Sequence, residues 1–249
     1  MTNYISQPKP QGLFKLAGKI SNYRKERGSA SFVFTESDQT GMGVIAVASS
    51  LAGLPGQAAI MAHHAASLEE EADFLEFELD GHPVKGWLWR SPFAEGDLVE
   101  AAVEKREGHY ELFGMAKPDE KVIALYPHCS RGRVRHTLNA MKWWVILVAF
   151  IFGGMSLMPL IHQGKYPWQF WGETLTDYRM VLVTLGLLLF LMLMVWALTR
   201  KWMPFVKLAE KVFRTLELPA PSSVDLVKSS KVQKRQGDPP ECGHFYFKY

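Results

Sequence analysis

Two cysteines in 249 residues, Cys129 and Cys242, are too few and too far apart to frame a disulfide scaffold. Gly-x-Ser-x-Gly is absent, and so are a phosphate-cradling Gly-x-x-x-x-Gly-Lys loop and His-Glu-x-x-His. With them go the usual serine hydrolase, nucleotide-binding and zinc protease chemistries. Acids are missing from residues 121–142, where five Lys/Arg stand alone. Charge of either sign is missing from 143–161 and again from 180–199. The mean hydropathy of −0.04 would suit an ordinary soluble chain, but these gaps show how unevenly it is spread. Residues 1–120 carry 11 Lys/Arg against 18 Asp/Glu, and residues 200–249 carry ten against five. Two basic collars therefore bracket a neutral, apolar stretch.

A helix needs about 20 apolar residues to cross a hydrocarbon core of about 30 Å. The runs 143–161 and 180–199 are long enough and apolar on every face, unlike a half-buried soluble helix. Trp143, Trp144 and Trp196 stand near their ends, where indoles favour the interface. The competing reading is a pair of core helices in a large soluble protein. The pattern predicts transmembrane helices over 141–161 and 180–199, joined by an external loop over 162–179. Neither run is a cleavable signal, since both lie deep in the chain. Arg131, Arg133, Arg135 and Lys142 precede the first span; Arg200, Lys201, Lys207 and Lys211 follow the second. Only Lys165 and Arg179 lie in the loop. The positive-inside rule then predicts that both termini face the cytoplasm and the 162–179 loop faces out. A chain arriving from outside need not obey that rule.

Trp202, Phe205, Val206, Ala209, Val212, Phe213 and Leu216 recur at helical spacing, opposite Lys207, Glu210, Lys211 and Arg214. This predicts an amphipathic helix over 200–218, lying on the inner leaflet. The other reading of the same face is a helix packed on the soluble domain. Residues 219–249, rich in Ser, Lys, Gln and Pro, read as a mobile tail, and 1–11 as a flexible N-terminus.

Residues 12–140 read as an acidic β-rich domain. Strands are predicted at Leu16–Ile20, Ser29–Thr35, Phe74–Leu79, Val84–Trp89, Leu98–Lys105, Tyr110–Ala116 and Val122–Tyr126. Asp80-Gly81 and Glu107-Gly108 are hairpin signals. Many short strands at this spacing suggest a small closed barrel of the OB or SH3-like sort. Its acidity argues against nucleic acid, which attracts proteins through cations. Between Asp38 and Glu69 lie 30 uncharged residues rich in Gly and Ala. About 41–68 this reads as a helical insertion, either two short helices packed on the barrel or a hairpin able to enter lipid. The fold class expected is thus an α+β membrane protein: a barrel-like domain with a helical insertion, a two-helix transmembrane hairpin and an amphipathic helix.

No catalytic constellation emerges, and the chain reads as a non-enzyme with no cofactor. His128-Cys129 and Cys242-Gly-His244 match none of the usual zinc spacings, and adjacent His63-His64 diverge by about 100° on a helix. The arginines of Tyr126-Pro-His-Cys-Ser-Arg-Gly-Arg are explained as a topogenic collar, but Pro127-His128-Cys129-Ser130 is not.

Gly86-Trp-Leu-Trp-Arg-Ser-Pro-Phe-Ala-Glu-Gly-Asp97, Ala124-Leu-Tyr-Pro-His-Cys-Ser-Arg-Gly-Arg133 and Lys142-Trp-Trp resemble a family of enterobacterial membrane proteins described as type VI secretion effectors. Asp38-Gln-Thr-Gly-Met-Gly43 and Glu70-Glu-Ala-Asp73 are similar to the same family. The resemblance covers roughly residues 15–160. It implies an antibacterial, pore-forming toxin that inserts in a target cell's inner membrane and depolarises it. It supplies no catalytic residues.

Two spans can line a pore only as a homo-oligomer. Polar or small candidates for lining and packing are Ala149, Gly153, Gly154 and Ser156 in the first span and Thr184 and Gly186 in the second. No ionisable residue lies inside either span, which favours a leak over a selective channel. Partners expected are the lipid bilayer, further copies of the chain, a cognate immunity protein and a secretion chaperone. The rival readings are a membrane-resident immunity or accessory protein that binds a toxin through the β domain, and a non-toxic inner-membrane scaffold.

Overall fold

Seventeen residues, Phe14–Ala30, form β1. The strand bends at a bulge between Ser21 and Arg24, where Asn22 takes φ 54°. The bend divides its partners. Phe14–Lys19 pair antiparallel with β4 (Leu98–Arg106), and Ile20–Ala30 pair antiparallel with β2 (Glu70–Leu79). Asp80 and Gly81, at φ 48° and 82°, turn β2 into β3 (His82–Leu88), as the two-residue hairpin signal predicts. Gly108, at φ 79°, turns β4 into β5 (His109–Lys117). β3 then runs parallel to β5 from Val84 opposite Tyr110 to Gly86 opposite Leu112. That pairing closes a five-stranded barrel in the order β1-β2-β3-β5-β4. The closure needs glycine at 86, because a Cβ there would lie 2.6 Å from the Leu112 carbonyl oxygen.

This computed structural model describes residues 12–30, 32, 70–164 and 166–249. The insertion expected about 41–68 and the N-terminus 1–11 lie outside the described residues. The chain divides into two compact units, Met1–Gly132 with Pro204–Tyr249, and Arg133–Met203.

In the barrel unit the strand period of two sorts side chains. Leu75, Phe77 and Leu79 of β2 are buried, with Glu76 and Glu78 between them on the other face. Ile20, Val84, Leu88, Val103, Leu112 and Met115 join the same core. Each large apolar side chain buried this way contributes about 1.5–3 kcal/mol.

A 3-10 turn (Pro118–Glu120) leads from β5 to β6 (Val122–Leu125), and β6 pairs with the half of β5 that β3 leaves free. The sheet then continues into β7 (Tyr246–Lys248) at the far end of the chain. The tail expected to be mobile is thus folded. Asp225 caps α4 (Leu226–Gln233) by accepting the Lys228 N–H at 3.2 Å, and Leu226, Cys242, Tyr246 and Phe247 are buried. Ser230 bonds both Lys248 N (2.8 Å) and Lys248 O (3.3 Å), occupying backbone groups at the outer edge of β7. The polar composition of 219–249 hid these anchors, which are too sparse to form a core of their own but find one on β6.

The other unit is helical. α1 (Arg133–Gln163) and α3 (Tyr178–Thr215) carry apolar windows of mean hydropathy 2.2 and 2.7, and only 6% of each window is buried. Both are long and apolar enough to cross a membrane. Neither is buried within this chain, unlike a core helix of a soluble protein. The 162–179 segment is not a plain loop, since it contains α2 (Pro167–Thr176). α1 begins at Arg133, so the barrel unit's first segment ends at Gly132 rather than near 140.

From Pro204 onward α3 belongs to the barrel unit. Phe205, Val206, Leu208, Ala209, Val212, Phe213 and Leu216 are buried there. Of the two readings of this amphipathic face, the structure has the helix packed on the barrel, so its apolar side is not free for the inner leaflet. A Cβ on Gly114 of β5 would lie 2.7 Å from Val212 Cγ1, which marks how closely the helix approaches.

Candidate functional site: the apolar hairpin and the clasp on the barrel

The hairpin unit offers few polar groups. Ala149, Gly153 and Gly154 are exposed, as is Gly186, while Ser156 and Thr184 are half-buried. A Cβ at Gly153, Gly154 or Gly186 would meet nothing within 4 Å, so these glycines serve no close helix approach within the described residues. The Ser156 hydroxyl is engaged twice. Its hydroxyl donates to the Phe152 carbonyl at 2.7 Å and accepts the Trp171 indole N–H at 2.7 Å. Trp171 stacks on Phe152 with ring centroids 5.6 Å apart, which docks α2 against α1. Trp171 lies in the segment expected to be an external loop. A single polar residue in an apolar span was the available signal that something would bond to it.

The basic collar divides. Arg131 lies in the barrel unit and pairs with Asp225 at 3.3 Å, so it works as a fastening. Arg133 and Arg135 stand in the first turn of α1 and Lys142 is exposed further along it. Arg200 places its guanidinium 5.2 Å from the centre of the Trp196 ring, and Lys201 follows, half-buried. A cation over an indole one turn away suits a membrane–water boundary.

The unexplained Pro127-His128-Cys129-Ser130 run becomes intelligible in the barrel unit. Cys129 N bonds Tyr126 O at 3.1 Å, closing a tight turn in which His128 sits at φ 66°, a strained region for a side chain. The turn aims His128 at Glu70 (Nε2–Oε2 2.6 Å) and between the rings of Trp89 and Phe205. The Cys129 thiol donates to the Phe205 carbonyl at 3.4 Å. Ser130 O accepts Leu226 N, and Gly132 N donates to Val224 O at 3.0 Å. A Cβ on Gly132 would lie 2.3 Å from Pro221 O, so only glycine fits. The motif is a clasp. It ties the segment before α1 to the segment after the apolar part of α3.

No family model, curated protein or solved structure matches this chain.

A cavity of about 900 Å³ lies beside β7, between Phe93, Lys117, Lys121, Arg235, Cys242 and Tyr246. Four carboxylates and four cations line it. Asp97 meets Lys117 at 2.7 Å and Asp238 meets Lys248 at 2.6 Å, so it presents no strong field of one sign. Partial burial works against the charge on Asp97, but the Lys117 ammonium and the Ala94 N–H hold its carboxyl below the usual range. Asp238 is held low by the Arg235 N–H and by Lys248. Burial pushes the Cys242 thiol up and the Tyr246 phenol up to about 12. Cys129 is pushed up too, by complete burial. Burial thus disfavours the thiolate at both cysteines, the opposite of an activated nucleophile. His128 is taken up by Glu70, and among the described residues no three His, Cys, Asp or Glu side chains gather as a metal site. Asp73, fully buried, spends its carboxylate on Arg27 (3.2 Å) and the Ser91 N–H (2.9 Å), which is structural work.

Proposed function

We propose that this protein is an antibacterial effector of the type VI secretion class that inserts its α1–α3 hairpin in a target cell's inner membrane and depolarises it as an oligomer. The observation that carries this reading is the pair of long apolar helices, exposed in the middle of the chain and flanked by cations. Exposed apolar area on this scale calls for lipid or a partner. The motif resemblance supports the toxic role. Residues before and after the hairpin fold into one barrel unit, which supports a hairpin whose two flanks share one side of the bilayer. The cyclic order β1-β2-β3-β5-β4, with β3 and β5 parallel, favours an OB-type barrel over an SH3-like one. Two helices cannot enclose a path, so conduction requires several copies.

A second reading is a membrane-resident immunity or accessory protein that binds its partner through the barrel. The consumption of Ser156 by Trp171 and Phe152 favours it, because it leaves the first span short of groups to replace an ion's water. Membrane potential, followed with a voltage-sensitive dye in susceptible cells expressing the chain with and without a periplasmic export signal, separates the two. Depolarisation without entry of a membrane-excluded dye, at levels where an unrelated two-span protein is harmless, supports the pore. An unchanged potential with the protein shown to be inserted refutes it.

A further inference from the structure

Internal hydrogen bonds hold much of the segment between the two apolar helices. Within 166–179, Gln169 Oε1 accepts Tyr166 N at 3.1 Å and Gln169 N donates to Tyr166 O at 3.0 Å, which caps α2. Thr174 donates to Phe170 O and Thr176 to Glu173 O, both at 2.8 Å. Asp177 accepts Arg179 N at 2.9 Å, and the Arg179 Nε–H donates to the Tyr178 hydroxyl at 3.2 Å. The Trp171 indole is satisfied by Ser156, and Tyr166 and Trp168 stack with centroids 4.5 Å apart. Each polar group left unpaired in hydrocarbon costs several kcal/mol, so internal pairing lowers the barrier to passage through lipid. Glu173, Asp177 and Arg179, with Lys165 just before them in the sequence, are the charges that must cross with this piece.

The flanks of the hairpin are the reverse case. Residues 12–132 and 204–249 are joined by the β6–β7 ladder, the Arg131–Asp225 pair and the Gly132–Val224 bond. Neither flank can be drawn through a bilayer without dismantling the barrel unit.

We infer that the α2 head crosses the bilayer first, as a folded piece, and that the barrel stays on the side from which the protein arrives. This rests on the reading of α1 and α3 as membrane spans. The side on which the barrel is found then reports the direction of insertion: outside for a protein delivered to its target, inside for one inserted by its own cell.

The test uses the full chain, diluted from detergent into preformed vesicles of phosphatidylethanolamine and phosphatidylglycerol. Leu175→Cys places a thiol on the exposed side of α2, and Glu107→Cys places one at the β4–β5 turn. The native thiols are buried, and wild type gives the background with an impermeant maleimide. The expected result is that Glu107→Cys reacts in intact vesicles while Leu175→Cys reacts only after lysis. Labelling of Leu175→Cys from outside in vesicles that keep the protein through flotation and alkaline washing overturns the inference alone. Half-labelling of both sites, from random orientation, overturns it too. Protein that does not float with the vesicles overturns the membrane reading and the inference with it. A second comparison isolates the hydrogen-bond argument. Ser156→Ala orphans the Trp171 N–H and should cut the protected fraction of Leu175→Cys several-fold, whereas Ser156→Ala with Trp171→Phe removes both partners and should restore most of it. Equal loss in the single and double variants refutes the role of the Ser156–Trp171 bond in crossing.

Discussion

Gly114→Ala probes the contact between the barrel and the last turns of α3. The new Cβ would lie 2.7 Å from Val212 Cγ1 and 2.9 Å from Leu125 Cδ2, both well inside van der Waals contact. Phe113, Leu125, Ala209, Val212 and Phe213 are all at most 1% exposed, so the neighbours have little room to yield. Overpacking of this kind costs about 1–3 kcal/mol, offset by about 0.5–1 kcal/mol because alanine suits a strand interior better than glycine. The net loss expected lies between about 0 and 2.5 kcal/mol, centred near 1. Val212→Ala alone leaves a cavity at the same point and destabilises on its own, by an amount set by how far the site collapses. The double variant should be more stable than the sum of the two by about 1 kcal/mol or more, because the removed methyls make room for the added one. Amide exchange of the full chain in detergent, read on peptides from β5, β6 and 204–216, measures the local opening free energies without assuming one global transition. If the apolar face of 204–216 lay on lipid instead, Gly114→Ala would change opening by less than about 0.5 kcal/mol. Additivity of the two substitutions would refute the packing.

Asp225→Ala should loosen the 221–233 segment more than Arg131→Ala, since it loses both the ion pair and the helix cap, the cap alone contributing about 0.5–2 kcal/mol; exchange on that segment ranks them. Asp238 and Asp97 have lowered folded-state pKa values, so their contribution is present above pH about 3.8 and is lost as pH falls through the folded values. Acid titration of β7 protection should therefore shift to lower pH dependence in Asp238→Asn, and an unchanged profile would count against the Lys248 pairing. Lys117 is raised by Asp97 and Glu120, so its share persists below pH about 10.5 and fades as pH climbs through its folded value; Lys117→Met should flatten the alkaline limb of thermal unfolding. Both thiols should resist maleimide until denaturant is added, and prompt labelling of Cys129 at neutral pH would contradict its burial against Phe205.

The apolar helices, the hairpin turns and β2 to β6 were legible locally, because each depends on local period, length and turn chemistry; β1 was not, since Leu16–Ile20 and Ser29–Thr35 were expected as separate strands, Phe14–Ala30 is one, and 33–35 lie outside the described residues. Nineteen or twenty uncharged residues between basic ones, or Asp80-Gly81 between two alternating runs, carry their meaning in a window of a few turns. The partners of these elements were not legible. The face Phe205–Ala209–Val212–Phe213 has the same periodicity whether it meets lipid or protein, and only the approach of Gly114 distinguishes them. Tyr246–Lys248 is three residues in a polar tail until β6 offers a ladder more than 100 positions earlier in the chain. Pro127–Gly132 looks like part of a topogenic collar until Glu70, Phe205 and the Val224-Asp225 pair arrive from three distant segments. Ser156 reads as a candidate for lining or packing, and that Trp171 bonds its hydroxyl was not readable from the span itself. Secondary structure here follows from short-range sterics and hydrophobic period, but what each face touches is decided by long-range packing, which no local window contains.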